Sequence, residues 1–413
     1  MRNHRNSSTM CPSFFRWIHH DLEPWAQSRI SQAQMMEAQG LAAFRVLISE
    51  GRLYVDFYYA CTQTRAMFTI WGLLQLLKRY PGMIPDLDIM FDCMDRPTVN
   101  RSRYKWRRPP PLFRYCTTEW DFDIPFPDWS FWGWPETNIQ PWDDEFRRID
   151  STSRAQTWTN KSANAYWRGN PSVGSPVRVD LLQCNDTKLW GAEIFIQNWM
   201  KEAQVGFKQL SLTDQCKYRY KIYAEGYAWS VSLKYILSCG SLPLIISPIY
   251  QDFFSRGLVP GENYWPISSS NLCQSIKFAV DWSNANPSKA EVMGREAQNL
   301  MRNISMEWVS DYMYHLILEY SKLQNFKPTR PSSAQELCEE SVLCYASERE
   351  RAFLENSRAS PAASPPCTLP PPDHDLIESR IQKKRKTISD VQEMENRVLT
   401  QVNKTKDLVK VYG

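Results

Sequence analysis

Asp86-Leu87-Asp88-Ile89-Met90-Phe91-Asp92-Cys93-Met94-Asp95-Arg96-Pro97 is the stretch on which the fold turns. An extended chain alternates its side chains, which puts Leu87, Ile89, Phe91 and Cys93 on one face and Asp88, Met90 and Asp92 on the other. Asp95 falls just past the strand. Open α/β sheets take their ligands outside the carboxyl ends of their strands, so a carboxylate there is a candidate general base beside a substrate hydroxyl. Position alone is equally compatible with a blander role, in which Asp95 pairs with Arg96 or caps a turn.

The residues before this strand supply its partners. Phe44 to Ser49 and Leu53 to Tyr59 are β-prone runs separated by Glu50-Gly51-Arg52, a hairpin. Phe68, Trp71, Leu74 and Leu77 form a helical stripe between Thr64 and Tyr80, closed by Pro81-Gly82. Helix, strand and polar turn make an α/β unit. Arg101 to Trp142, dense in Pro and Trp, reads as a long loop with short strands, and such loops are more often functional than filler.

After Asn160 the α/β rhythm returns. Strands are expected at Ala165-Tyr166-Trp167, Tyr218 to Tyr223 and Leu242 to Ile246, and helices at Glu193 to Lys201, Tyr227 to Cys239, Leu272 to Asp281, Lys289 to Arg302 and Met306 to Leu323. Beyond Pro328 the composition turns to Ser, Pro, Glu and Lys, too poor in apolar residues for a core, so a disordered tail with one helix between Leu376 and Val409 is expected. Its Lys383-Lys384-Arg385-Lys386 reads as a solvated charge run. The resulting division is a first α/β domain over 11–160, a second over 161–305, a helix over 306–328 that packs back on the first, and a polar tail over 329–413.

Composition narrows the function. The 413 residues suffice for two ordinary domains. A formal charge of +4 is too small for a nucleic-acid binder. Seventeen tryptophans imply large aromatic surfaces, in cores or in a ligand cleft. The eleven cysteines lack zinc-type CxxC spacing, so disulfides fit better than metal. Sequons begin at Asn6, Asn100, Asn160, Asn185, Asn303 and Asn403, compatible with the secretory pathway. No stretch reaches the roughly 18 apolar residues of a membrane span, and the polar start Met1 to Asn6 is no signal peptide.

Two further segments could hold a phosphate. Tyr166-Trp167-Arg168-Gly169-Asn170-Pro171 leads through a small-residue loop to Arg178 and Asp180, the way backbone N–H groups and a guanidinium are brought to an anion. In Glu225-Gly226-Tyr227-Ala228-Trp229-Ser230, Gly226 allows a tight strand-to-helix turn, and the N–H groups from Tyr227 to Ser230 suit a diphosphate.

With Asp128-Trp129-Ser130-Phe131-Trp132-Gly133-Trp134, Tyr218-Arg219-Tyr220-Lys221 and Phe278-Ala279-Val280-Asp281-Trp282, these segments make the sequence resemble the Rumi and KDEL-containing protein O-glucosyltransferases, glycosyltransferase family 90, and the plant members above all. The likeness runs from about Cys11 to Pro328. It implies a GT-B architecture, two Rossmann-like domains facing across a cleft, with no metal or other cofactor. It also implies inverting transfer of glucose, or xylose, from UDP-glucose or UDP-xylose to the hydroxyl of a polypeptide or glycan acceptor. The family's catalytic Asp-x-Pro maps onto Asp95, and its nucleotide contacts map onto Arg168, Gly169, Asn170 and Arg178 and onto Gly226, Tyr227, Ala228, Trp229, Ser230 and Lys234. The likeness further implies a Cys216 to Cys239 disulfide and the lumen of the endoplasmic reticulum or Golgi, with a membrane involved only through an N-terminal anchor not seen in this chain.

The sequence also departs from the family. Plant relatives commonly have two acids where this chain has Met94-Asp95, a Glu at Leu233 and an Asp at Gly240, and animal relatives use a basic residue at Ser232. A carboxylate at 233 could accept hydrogen bonds from sugar or ribose hydroxyls, so a weakened donor site is expected, and a non-catalytic sugar- or polypeptide-binding relative is the alternative.

Overall fold

The computed structural model describes residues 9–207 and 211–412. The opening residues and the sequon at Asn6 lie outside these, as does the side chain of Asn403.

The first half comprises α1 (Trp17–Ala26), α2 (Gln32–Met36), β1 (Phe44–Ser49), β2 (Arg52–Phe57), α3 (Arg65–Arg79), β3 (Leu87–Phe91), β4 (Phe113–Arg114), β5 (Ile124–Pro125) and α4 (Trp142–Arg154). The hairpin forms as read, with Val46 opposite Val55 and Ile48 opposite Leu53. Strand β1 also pairs antiparallel with β3, whereas β3, β4 and β5 run parallel. The sheet is therefore mixed rather than the all-parallel sheet of a Rossmann unit. Every residue of β3 is buried. Its polar side is neutralised from within: Asp88 is held by the Arg45 guanidinium on β1, with Nε at 2.7 Å.

The second half comprises β6 (Ser162–Gly169), α5 (Pro176–Leu181), β7 (Ala192–Ile196), α6 (Trp199–Gln204), β8 (Tyr218–Tyr223), α7 (Ser232–Leu237), β9 (Leu242–Ile246), β10 (Trp265–Ile267), α8 (Leu272–Ala285) and α9 (Pro287–Arg302). Its strands are all parallel in the order β7-β6-β8-β9-β10, a doubly wound order whose direction reverses between β6 and β8. Two expectations are corrected. The helix over Glu193 to Lys201 is instead strand β7 followed by the short α6, because Ile194, Phe195 and Ile196 are β-prone and pair with Trp167, Arg168 and Gly169. The helix from Tyr227 begins only at Ser232, since residues 226–231 form a turn.

The remaining elements are α10 (Met306–Leu323), β11 (Gln335–Leu337), α11 (Glu339–Tyr345), α12 (Glu348–Asn356) and α13 (His374–Tyr412). Helix α10 packs on α1, α3 and β3. The expectation of a disordered tail is overturned. Strand β11 extends the first sheet as its edge beside β2, and Cys367 is joined to Cys11. Ile377 of α13 enters the core of the first half, and Val391 enters that of the second. A segment too polar to build a core can still dock on one already made, through a few apolar side chains and a covalent tie.

Candidate active site

The chain leaving β3 is fixed at several points before it reaches Asp95. The Asp92 carboxylate is buried and takes the Tyr59 hydroxyl and the Arg114 guanidinium, while also accepting the Met94 N–H at 3.2 Å. Arg114 in turn pairs with Asp123 at 3.1 Å and donates to the Met94 carbonyl. Cys93 is disulfide-bonded to Cys61, and the Cys116 thiol donates to the Asp95 carbonyl at 3.2 Å. A backbone held this way presents its next side chain in one direction. The Asp95 carboxylate is one-third exposed and faces the large cleft between the halves. Its Oδ1 accepts from Arg65 Nη1 at 2.6 Å, and that guanidinium lies over the Trp129 ring, 4.3 Å from the centroid.

Opposite Asp95 are the loops that leave β6 and β8, on either side of the point where strand order reverses. The crevice outside such a point is where doubly wound sheets bind ligands. Arg168, Gly169 and Asn170 line it at the end of β6, and Gly226, Tyr227, Trp229 and Ser230 line it after β8. Arg178 ties the loops together. Its Nε donates to Glu225 O at 3.0 Å, Nη1 to Asn170 O at 3.0 Å, and Nη2 to Ala224 O at 3.1 Å and Ser230 Oγ at 3.2 Å. Of its five N–H groups, one on Nη1 is uncommitted to these partners. A Cβ at Gly226 would stand 3.3 Å from Nη2, so a larger residue there would press on this guanidinium and make it give by a few tenths of an ångström. Arg168 is paired to Glu202 of α6 at 2.9 Å.

Some expected donor contacts are placed elsewhere. The Ser230 N–H already donates to the Tyr223 hydroxyl at 3.0 Å. Ala228 and Lys234 are buried and are not among the residues lining the cleft. The Lys234 ammonium donates to Ser130 Oγ at 2.7 Å and pairs with Asp128 at 3.3 Å, tying α7 to the Asp128-Trp129-Ser130 turn of the first half. Leu233 also points away from the cleft, into a small cavity with Tyr223, Leu258, Tyr264 and Lys384. Gly240 follows α7 with φ +60°, and a Cβ there would meet Ser153 Oγ at 3.0 Å. The departures at 233 and 240 therefore leave the cleft wall untouched.

The residue reading missed the groups around Asp95. Arg65, Trp129, Trp134, Glu136 and Trp199 line the same cleft. The indole N–H groups of Trp129 and Trp229 and the Tyr235 hydroxyl are buried without hydrogen-bond partners among the described residues, and each of these residues lines the cleft. The quoted Trp-rich motif pointed to Trp129, but nothing local marked Arg65. Burial pushes the Glu225 carboxyl, behind the donor-side turn, up to about 7, against the opposing pull of the Ile249 and Tyr250 N–H groups. Burial likewise pulls the Lys221 ammonium on β8 well below its ordinary value. Cys216 and Cys239 are disulfide-bonded, tying the start of β8 to the end of α7, as are Cys184 and Cys273. The only group of three candidate metal ligands among the described residues, Cys11, His315 and Cys367, is built on a disulfide.

Several known proteins are similar to this chain. Human protein O-glucosyltransferase 1 is 29% identical over 346 residues, covering 78% of this chain and 83% of the relative. The O-glucosyltransferase rumi of Drosophila melanogaster is 25% identical over 333 residues, covering 77% and 78%. Among solved structures, a sucrose-phosphate synthase from Thermosynechococcus elongatus aligns over 61% of each chain, with 9% identity and a TM-score of 0.33. The pneumococcal O-GlcNAc transferase GtfA, in complex with UDP and GlcNAc, aligns over 39% of this chain and 37% of its own, with 10% identity and a TM-score of 0.28. Residues 6–395 match the family described as glycosyl transferase family 90, and the chain belongs to that family of glycosyltransferases.

Proposed function

We propose that this glycosyltransferase moves glucose, or its pentose analogue xylose, from a UDP-sugar to a hydroxyl on a polypeptide, inverting the anomeric centre with Asp95 as general base. The observation that carries this is that Asp95 and the β6 and β8 loops line one cleft of about 850 Å³, within the range of small-molecule sites. An acceptor hydroxyl beside Asp95 loses its proton to the carboxylate as its oxygen attacks the anomeric carbon, and the bond to the UDP oxygen breaks on the far side. Inversion needs only this one carboxylate. The charge developing on the leaving diphosphate is met by the remaining Arg178 N–H and the backbone of the turn after Gly226, fixed dipoles in a partly water-excluded site, and no divalent cation is required in this reading. Similarity to protein O-glucosyltransferases supports the polypeptide acceptor. The four disulfides among the described residues support an oxidising lumen such as the endoplasmic reticulum or Golgi. The departures at Leu233 and Gly240 lie off the cleft wall and give no ground for a degraded donor site; of the departures on the α7 side, Ser232 is the one that lines the cleft.

UDP release from UDP-glucose and UDP-xylose, with and without a folded disulfide-rich acceptor domain, tests the proposal. Asp95→Asn should lower transfer about 10²- to 10⁴-fold while UDP affinity in calorimetry is retained. A variant keeping more than about a tenth of the wild-type rate would remove Asp95 from the reaction.

A further inference from the structure

The connection from β3 to β4 carries a feature that the cleft does not use. Arg101-Ser102-Arg103-Tyr104-Lys105-Trp106-Arg107-Arg108 holds five cations, no acid and one indole. Trp106 is 97% exposed, although most of the chain's tryptophans are buried. This exposure does not come from a loose chain, because both feet of the loop are pinned. Asp123 accepts the Thr98 and Val99 N–H groups, and the Asn100 side chain caps the turn by accepting the Ser102 N–H at 3.1 Å. On the return, the Pro109 carbonyl accepts from Trp25 Nε1 at 2.8 Å and from Gln34 Nε2 at 3.0 Å. Arg107 lies over the Tyr104 ring and Arg101 over the Phe122 ring; the Arg101 guanidinium is partly desolvated and faces Asp21, Asp121 and Glu23, so the cations of the tip are Arg103, Lys105, Arg107 and Arg108. None of residues 101–108 lines the cleft.

We infer that this loop docks the enzyme on an anionic membrane surface, with Trp106 entering the headgroup layer and the surrounding Arg and Lys meeting lipid phosphates and carboxylates. Shape favours a bilayer over the alternatives. A sugar or peptide site is concave, with walls that bury most of the ligand, whereas an indole at 97% exposure has no walls. An interfacial bilayer conforms to a convex tip, and Trp settles at the headgroup level with its ring apolar and its N–H wet. Each nearby Lys or Arg adds to the attraction of an anionic leaflet, and that attraction weakens with salt.

Co-sedimentation of the full chain with vesicles is the test. Binding should be absent on pure phosphatidylcholine, rise with added phosphatidylserine and fall with salt. The Arg103→Glu/Arg107→Glu double variant should lose at least about tenfold in partitioning, and Trp106→Ser several-fold, with circular dichroism and UDP binding unchanged because these side chains are exposed and outside the cleft. Acyl-brominated lipid should quench wild-type fluorescence more than that of Trp106→Ser. Equal binding to neutral vesicles, loop variants that bind like wild type, or retention on heparin or polyglutamate without vesicle binding would each overturn the inference.

Discussion

Arg96 Nε donates to the backbone carbonyl of Tyr227 at 2.9 Å, and its guanidinium lies 3.9 Å from the centroid of that residue's ring. The residue after Asp95 therefore reaches across the cleft and clasps the turn that leaves β8. The clasp is exposed, with Tyr227 at 49%, so its worth is about 0.5–1 kcal/mol from the ring and a similar amount from the hydrogen bond. It keeps the donor-side turn in register with the base.

Arg96→Ala should therefore weaken UDP binding about three- to tenfold in calorimetry, with little loss of thermal stability. Arg96→Lys should recover only part of this, because an ammonium lacks the planar face and the geometry that stack on tyrosine while donating sideways. Unchanged UDP affinity in Arg96→Ala would mean that the clasp does not organise the donor turn.

Arg65 is expected to act as a positioning residue. It holds Oδ1 of Asp95 and donates from the same nitrogen to the Cys93 carbonyl at 3.1 Å, which leaves Oδ2 to face the acceptor. Misplacing a base by about 1 Å can cost on the order of 10²-fold in rate. Arg65→Met should lower kcat about 10- to 100-fold with the donor KM unchanged, and Arg65→Lys should restore part of kcat. A rise in donor KM of the same size as the fall in kcat would assign Arg65 to substrate binding instead.

This contact shows where sequence reading stops. The hairpin β1 to β2, the helix α3 and the strand β9 are legible because each is a local pattern with its buried side set by its own periodicity. Asp95 is legible because the end of a strand in an α/β sheet is a place with known chemistry. Arg65 is separated from Asp95 by thirty residues and is announced only as the first residue of a helix. Strand β7 reads as a helix because it sits at a sheet edge, where Phe195 and Ile196 stay exposed and the alternation of a half-buried strand is blurred. The tail reads as disordered because its fixation depends on a disulfide to Cys11 and on isolated buried residues such as Ile377 and Val391, and these leave no compositional trace.

Stability should fall as pH rises across the range set by Glu225. In the folded chain this carboxyl keeps its proton to about pH 7, against an ordinary value of 4.5. Between those values the folded state binds more protons than the unfolded one, so unfolding free energy decreases with pH, by about 1–3 kcal/mol in all, and levels off above the folded value. Asp252, pushed up to about 6 by burial, adds to the slope with the same sign. Urea unfolding at about pH 5 and about pH 7.5 should show the decline in the wild type and a smaller one in Glu225→Gln. An equal decline in both would assign the effect to other groups.

At Leu233 the resemblance to the family implies a carboxylate, and with it a lost donor contact. Neighbouring positions on a short helix face different ways, and the turn after Gly226 sets α7 so that Leu233 looks into the cavity behind the donor turn. That cavity has room for about one water, at ≈ 30 Å³. It also receives Lys384 of α13, to which no hydrogen bond is made among the described residues and whose ammonium burial pulls below its ordinary value. A glutamate at 233 would thus meet a partly buried cation from the C-terminal helix, one that also feels the Glu225 carboxyl, rather than a sugar hydroxyl. Leu233→Glu should leave UDP affinity within about twofold of wild type. It should cost little stability while Lys384 is present, because each charge supplies the other's partner. Adding Lys384→Met to that variant should then cost about 3–5 kcal/mol, the penalty of leaving one buried charge alone, whereas Lys384→Met in the wild-type background should cost far less. Calorimetry with UDP and urea unfolding of the four proteins decide the matter: a folded Leu233→Glu variant that binds UDP fivefold tighter would return position 233 to the donor site and require α7 to be rotated from where it stands.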